Sequence, residues 1–257
     1  LVSSIIGCIF LLGVFKLSGK KFNWTLIRKN WLLLIISGVG LSGNWIFLYA
    51  SYRYTTVANA TLAYYLAPVI VIVFSPLLFH DRLARKTVIC LILALIGLFL
   101  VISTGISSFG TADVWGIVLG MLAALFYATL MLVNKFIHGF DKLALTILQL
   151  GMAALLLLFF VVTTEKVSFF HTSATSLYFV VLLGLLNTGL GFLLFFSGMQ
   201  GLKAQSIAML SYVDPLMAIF ISGVILQEKT TVIQIVGGIL LLGSTFLNEF
   251  HFSAKIN

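Results

Sequence analysis

The sequence predicts an all-α integral membrane fold: a ten-helix inverted-repeat (5+5) architecture, with about nine of the helices present in this chain. Three observations carry that reading. Charged residues make up 9% of the 257 residues and hydrophobic residues 61%, whereas a water-facing surface needs roughly 25% charged residues. The apolar residues fall in runs long enough to cross a bilayer. The basic residues crowd into alternate gaps between those runs.

A membrane-spanning helix needs about 20 apolar residues to cross roughly 30 Å of hydrocarbon. Lipid admits only helices or closed barrels, because every backbone group must be satisfied internally. Barrel strands alternate in polarity every second residue, and these runs do not. Nine segments follow: 1–14, 31–52, 57–79, 87–104, 114–133, 143–163, 177–197, 205–226 and 231–248. The first is short and opens at Leu1 in mid-run, so one more helix and part of the next are expected before it.

Orientation follows from the basic residues. One set of gaps holds Lys16, Lys20, Lys21, Arg28, Lys29, Arg82, Arg85, Lys86, Lys135, Lys142, Lys203 and Lys255, which is 12; the other holds Arg53, Lys166 and Lys229, which is 3; together these are all 15. The richer set, with the C-terminus, is assigned to the cytoplasm. The net charge of +8 is scattered among these gaps. It forms no continuous basic face, so nucleic acid is not an expected partner. The run from Lys16 to Lys29 reads as a charge belt against anionic lipid. Cys8 and Cys90 lie inside apolar stretches and read as small fillers. The four histidines (His80, His138, His171, His251) are dispersed, and no metal site is expected.

A shift of 147 residues places Tyr65 on Tyr212, Pro68 on Pro215, Ser75 on Ser222, Asp81 on Glu228 and Arg82 on Lys229. The charge alternation puts Asp81 and Glu228 on opposite sides of the membrane. Equivalent positions on opposite sides require repeats of odd helix number and opposed sense. Residues 1–104 are then the first repeat, holding its helices 2–5, and residues 105–257 are the second, holding helices 6–10.

Candidate functional residues are polar or helix-breaking groups at membrane depth. Pro68 and Pro215 each sit near mid-span, where each leaves a carbonyl four residues back (Tyr64, Ser211) without its amide donor. A helix-interior proline costs on the order of 3 kcal/mol. It reads either as a structural kink or as a broken helix at a binding site. Asp214 is the one acid of seven placed deep in a span, where insertion costs roughly 2.5–3.5 kcal/mol. It reads as a protonated helix-helix contact, a proton site or a contact to a substrate amine. Asn44, Asn59, Asn187 and Gln205 are amides that either bridge helices or touch substrate. Tyr64, Tyr65 and Tyr212 flank the prolines and are candidates for lining a pocket, whereas Tyr49, Tyr52 and Tyr54 read as an interfacial belt. Gly116, Gly120, Ala124 and Ala128 recur every four residues and read as a close-packing stripe.

Phe47 to Pro68 runs FLYASYRYTTVANATLAYYLAP, and the second half answers with SYVDP followed by LQEKTTVIQIVGGILLLG. This resembles the EamA family of the drug/metabolite transporter superfamily. The family pattern has a helix hairpin, a YLAP proline, a glutamate at the next helix end and a closing glycine-bearing helix. Trp115 to Phe136 resembles the helix that opens the family's second repeat. At the first helix end this chain carries Asp81 preceded by His80, where the family usually has glutamate preceded by glycine; Glu228 keeps the glutamate.

The resemblance implies a ten-helix transporter of the bacterial cytoplasmic membrane, moving amino acids, other metabolites or toxic compounds, often outward. A facilitative exchanger or a drug-efflux member of the same family is the alternative. An intramembrane enzyme fits less well, because the sequence holds neither an HExxH string nor paired intramembrane acids. No GxxxxGK[ST] loop occurs, so neither ATP nor another cofactor is expected. The expected partners are a small-molecule substrate and the lipid bilayer, with assembly as a homo-oligomer left open.

Overall fold

The computed structural model describes residues 1–80, 83–103, 111–164, 174–224 and 231–249. The acid-base pairs Asp81–Arg82 and Glu228–Lys229 lie outside the described residues, as do Lys166, His171, His251 and Lys255. Every regular element among the described residues is helical. In order these are α1 (Val2–Leu17), α2 (Trp24–Lys29), α3 (Trp31–Ser51), α4 (Val57–Tyr64), α5 (Ala67–Phe79), α6 (Arg85–Ser103), α7 (Thr111–Asn134), α8 (Lys142–Thr164), α9 (Ala174–Leu182), a π-helical stretch (Leu183–Gly191), α10 (Phe192–Met199), α11 (Ala204–Leu210), α12 (Val213–Val224) and α13 (Val232–Glu249). Five helical segments among the described residues are long and apolar enough to cross a membrane: 31–51, 59–79, 113–134, 142–164 and 175–199. Among the described residues, the nine apolar runs coincide with helices: 57–79 and 205–224 each with a broken pair, 177–197 with α9, the π-helical stretch and α10, and the rest with single helices.

The chain packs into two compact units. One comprises Leu1–Ile46 and Leu132–Leu202; the other comprises Phe47–Met131 and Lys203–Asn257. Each unit takes helices from both halves of the sequence.

In the first unit, α1 buries the stripe Ser4, Gly7, Leu11 and Phe15 and packs against α8 and the π-helical stretch. Gly7 is required there: a Cβ would stand 3.0 Å from both Gly184 O and Gly189 N. Leu34, Ile137 and Leu145 form a buried apolar cluster. Next to Leu34 along the chain, Ser37 joins a buried polar group. Gln149 donates from Nε2 to Ser37 Oγ at 2.6 Å and also to Asn134 Oδ1. At the helix ends, Lys20 pairs with Asp141 at 2.5 Å. Burial alone would raise the Asp141 carboxyl, but hydrogen bonds from Lys20 and from the Ala144 and Leu143 amides, with the Lys20 charge, hold it below its ordinary value.

In the second unit, α6 lies along α13. A Cβ on Gly97 would meet Gly237 O at 2.7 Å and Leu241 N at 2.9 Å, and one on Gly237 would meet Gly97 O at 2.6 Å and Val101 N at 2.9 Å. Advancing along α6 therefore means retreating along α13, so the two cross antiparallel with backbones in contact. The α7 stripe behaves as its spacing predicts. Gly116 faces Thr55, and Gly120 faces Ala60 and Ala63 of α4.

Pro68 and Pro215 do not kink continuous helices. Two helices stop and restart instead, α4/α5 at Tyr65–Leu66 and α11/α12 at Ser211–Tyr212. Pro68 and Pro215 fall in the first turn of the second piece, where an amide donor has no helical acceptor and proline is tolerated. The expected loss of an interior hydrogen bond is thus replaced by a break in the helix. The Ser211 carbonyl, expected to lack a donor, accepts instead from the Asp214 amide at 3.3 Å.

Candidate functional site

The break in α4/α5 ends the first piece on two tyrosines. Tyr64 is the last residue of α4 and Tyr65 caps it. The break in α11/α12 places Tyr212 next to Ser211, the cap of α11. Helix ends leave carbonyls without intrahelical donors, and side chains take up part of that need here. Ser211 Oγ donates to Ala208 O at 2.7 Å, and Thr245 Oγ1 on α13 donates to Met209 O at 3.4 Å. Tyr212 donates its hydroxyl to the carbonyl of Tyr65 at 3.2 Å.

Around that bond the rings gather. The Tyr65 and Tyr212 centroids are 6.3 Å apart, Tyr64 and Tyr65 are 5.6 Å apart, and Tyr64 stacks on Tyr127 of α7 at 5.4 Å with 23° between planes. These distances and angles are those of favourable aromatic pairs. Tyr212 is fully buried, and Tyr64, Tyr65 and Tyr127 are half-buried. Tyr52 reaches the same region through a hydrogen bond with the Thr61 side chain.

Asp214 is the second residue of α12 and stands within electrostatic reach of Tyr65 and Tyr127. Its carboxyl occupies the first turn of a half-helix, where unsatisfied amides and the helix dipole favour negative charge. That position offsets part of the cost of an acid at this depth. Asp214 remains exposed in the described structure, whereas Pro215 beside it is buried.

Tyr64, Tyr65, Tyr212, Asp214, Pro68 and Pro215 are therefore brought together. Asn59 lies in the same unit, one turn into α4. Its Nδ2 donates to Thr55 Oγ1 at 3.1 Å, and Thr55 in turn donates to Asp113 at 2.5 Å. Asn59 thus belongs to a chain of hydrogen bonds that ties the α3–α4 turn to α7. Asn44 is a buried residue of α3 in the other unit, and Asn187 is an exposed residue of the π-helical stretch there.

Tyr127 was missed by the sequence reading, although a signal was present. It stands seven residues after Gly120 and so shares the small-residue face of α7. A bulky ring at that register breaks the packing pattern. Tyr49 and Tyr54 are 67% and 50% exposed, and Tyr52 is half-buried.

The family model for the EamA-like transporter family matches residues 1–103 and 114–250. An uncharacterized transporter, YxxF, of Bacillus subtilis (strain 168) is 28% identical over 93% of this chain and 75% of its own length. An uncharacterized transporter of Archaeoglobus fulgidus is 30% identical over 77% of this chain and 69% of its own length. The uncharacterized inner membrane transporter YicL of Salmonella typhimurium is 26% identical over 94% of this chain and 80% of its own length. A solved structure, described as a crystal structure of a protein, shares the fold. Its TM-score is 0.82 at 20% identity, covering 96% of this chain and 85% of that one.

Proposed function

The chain belongs to the EamA-like transporter family, and on that premise we propose that it moves small metabolites, amino acids or related solutes, by alternating access. The tyrosine group with Asp214 is the binding site in this reading. One observation carries it: two helices break at positions 147 residues apart, and the residues at those breaks, Tyr65 and Tyr212, touch. Broken helices at membrane depth are where transporters hold substrate, because half-helix ends supply polar backbone groups that an intact helix conceals.

The crossing of α6 and α13 supports opposed repeats. These helices are repeat-equivalent (Arg85 shifted by 147 is Val232) and lie antiparallel in contact. A two-fold axis that turns one helix into an antiparallel neighbour runs perpendicular to both. For spanning helices, that axis lies in the membrane plane, as inverted repeats need. On this reading residues 1–104 and 105–257 are the two repeats and the C-terminus is cytoplasmic.

The test is transport by purified protein in liposomes, over a panel of amino acids and related amines. The transported solute should also protect Tyr127→Cys from thiol labelling in a background where Cys8 and Cys90 are serine. Full labelling at saturating solute would remove the tyrosine group from the site.

A further inference from the structure

The segment between α1 and α3 holds a short helix that is capped locally and anchored on its inner side. Asn23 caps α2 by accepting from the Leu26 amide at 3.1 Å, and Asn30 closes it by donating to Leu26 O at 3.0 Å. The helix is thus specified locally. Its inner side is pinned. Ile27 packs on the Leu34, Ile137 and Leu145 cluster, and Leu26 lies against Gly139. Phe22 extends the anchorage, with its ring 4.4 Å from Phe15 of α1.

The outer side is different. Trp24 and Arg28 are four residues apart on α2, the spacing of one helical face, and Trp31 opens α3 just past the Asn30 cap. Trp24 is 68% and Trp31 58% exposed, and Arg28, Lys29, Lys21 and Lys16 are exposed as well. No acid occurs anywhere before Asp81. The nearby Asp141 is taken by Lys20. Among the described residues, none of Lys16, Lys21, Arg28 and Lys29 has an acidic partner. Tryptophan settles at the depth of lipid headgroups, and a guanidinium matches a phosphate with two parallel hydrogen bonds.

We propose that Trp24, Arg28 and Trp31, with Lys21 and Lys29 beside them, form a binding site for the headgroup of an anionic phospholipid. Arg28 holds the phosphodiester, the two indoles flank it at the interface, and the lysines supply the remaining positive field. This is narrower than a general charge belt, because it assigns the anion to one exposed arginine with an exposed tryptophan on its own helical face and another at the start of the next helix. It does not depend on the transport reading.

The experiment is native mass spectrometry of the full chain with phosphatidylglycerol and phosphatidylcholine. Wild type should retain phosphatidylglycerol in preference. Arg28→Gln should weaken that retention on the order of tenfold, the effect of one charge-assisted bidentate contact. Trp24→Phe with Trp31→Phe should weaken it less. Lys203→Gln, which removes an equal charge elsewhere, should leave it within about twofold, as an exposed charge acting alone would. Melting in pure phosphatidylcholine nanodiscs checks that Arg28→Gln folds like wild type. If Arg28→Gln instead melts lower there, Arg28→Lys takes over the test: the charge stays, the bidentate fork is lost, and retention should still fall. Equal losses for Arg28→Gln and Lys203→Gln would overturn the site in favour of diffuse charge. Displacement of the lipid by soluble glycerol phosphate would overturn it in favour of a free-phosphate site.

Discussion

Tyr212 donates its hydroxyl to the main-chain carbonyl of Tyr65 at 3.2 Å, and the two residues are 147 positions apart in a chain whose broken helices recur at that same interval. A side chain from one break thus supplies the hydrogen bond that the other break lacks. Tyr212→Phe removes only the hydroxyl. With the acceptor left in a half-buried, low-dielectric setting, about 1–3 kcal/mol of stability should be lost. Thermal unfolding in detergent measures it, and a change below about 0.5 kcal/mol would mean that water replaces the bond.

The stacked pair Tyr64–Tyr127 should show direct coupling. A double-mutant cycle with Tyr64→Ala and Tyr127→Ala should give an interaction energy of about 0.5–1.5 kcal/mol, the range for aromatic pairs. Additive effects would place the two rings in separate environments.

The antiparallel contact of α6 and α13 predicts a contrast between glycines. Gly97→Ala puts a Cβ 2.7 Å from Gly237 O, and the obstacle is backbone. The helices must separate, at about 1–3 kcal/mol for overpacking. Gly13→Ala on α1 meets nothing within 4 Å and should be neutral or slightly stabilising, since alanine is the better helix former. Melting temperatures of the two variants, compared at equal expression, test this.

Much of this was legible in the sequence. The spans are visible because the bilayer imposes one length on every crossing helix. Of the two readings at Pro68 and Pro215, kink or broken helix, the structure has broken helices. Read as interior residues they imply a kink; the helix breaks just before them, since the first turn of a helix has no hydrogen bond for proline to forfeit. The sequence did not show that Asn44 and Asn187 belong to one compact unit and the tyrosines to the other, because each unit draws on both halves of the chain. Gln149, a buried residue hydrogen-bonded to Ser37 and Asn134, gave no warning of its role: one amide in an apolar run looks the same whether or not neighbours meet it.

The Lys20–Asp141 contact sets a pH dependence. The Asp141 carboxyl is held below its ordinary value. Its contribution to stability is therefore complete above the unfolded-state value and is lost as pH falls through the folded-state value. Asp141→Ala also removes the cap on the Leu143 and Ala144 amides, and should cost about 1 kcal/mol at neutral pH. The exposed ion pair adds little. Melting across an acid titration should show wild type converging on the variant as the carboxylate protonates. A constant gap down to strongly acidic pH would contradict the assignment.

The central claim is that solute is held at the paired helix breaks, beside Asp214. Asp214→Asn keeps the size and a hydrogen-bonding oxygen and removes the charge, so folding and expression should be preserved. Counterflow of a transported solute in liposomes, with protein amounts matched and pH varied from acid to mildly alkaline, is the direct measurement. The account predicts that Asp214→Asn lowers transport by about tenfold or more, the effect of losing one charged contact, or abolishes its dependence on pH. Transport within about twofold of wild type with an unchanged pH profile would contradict it.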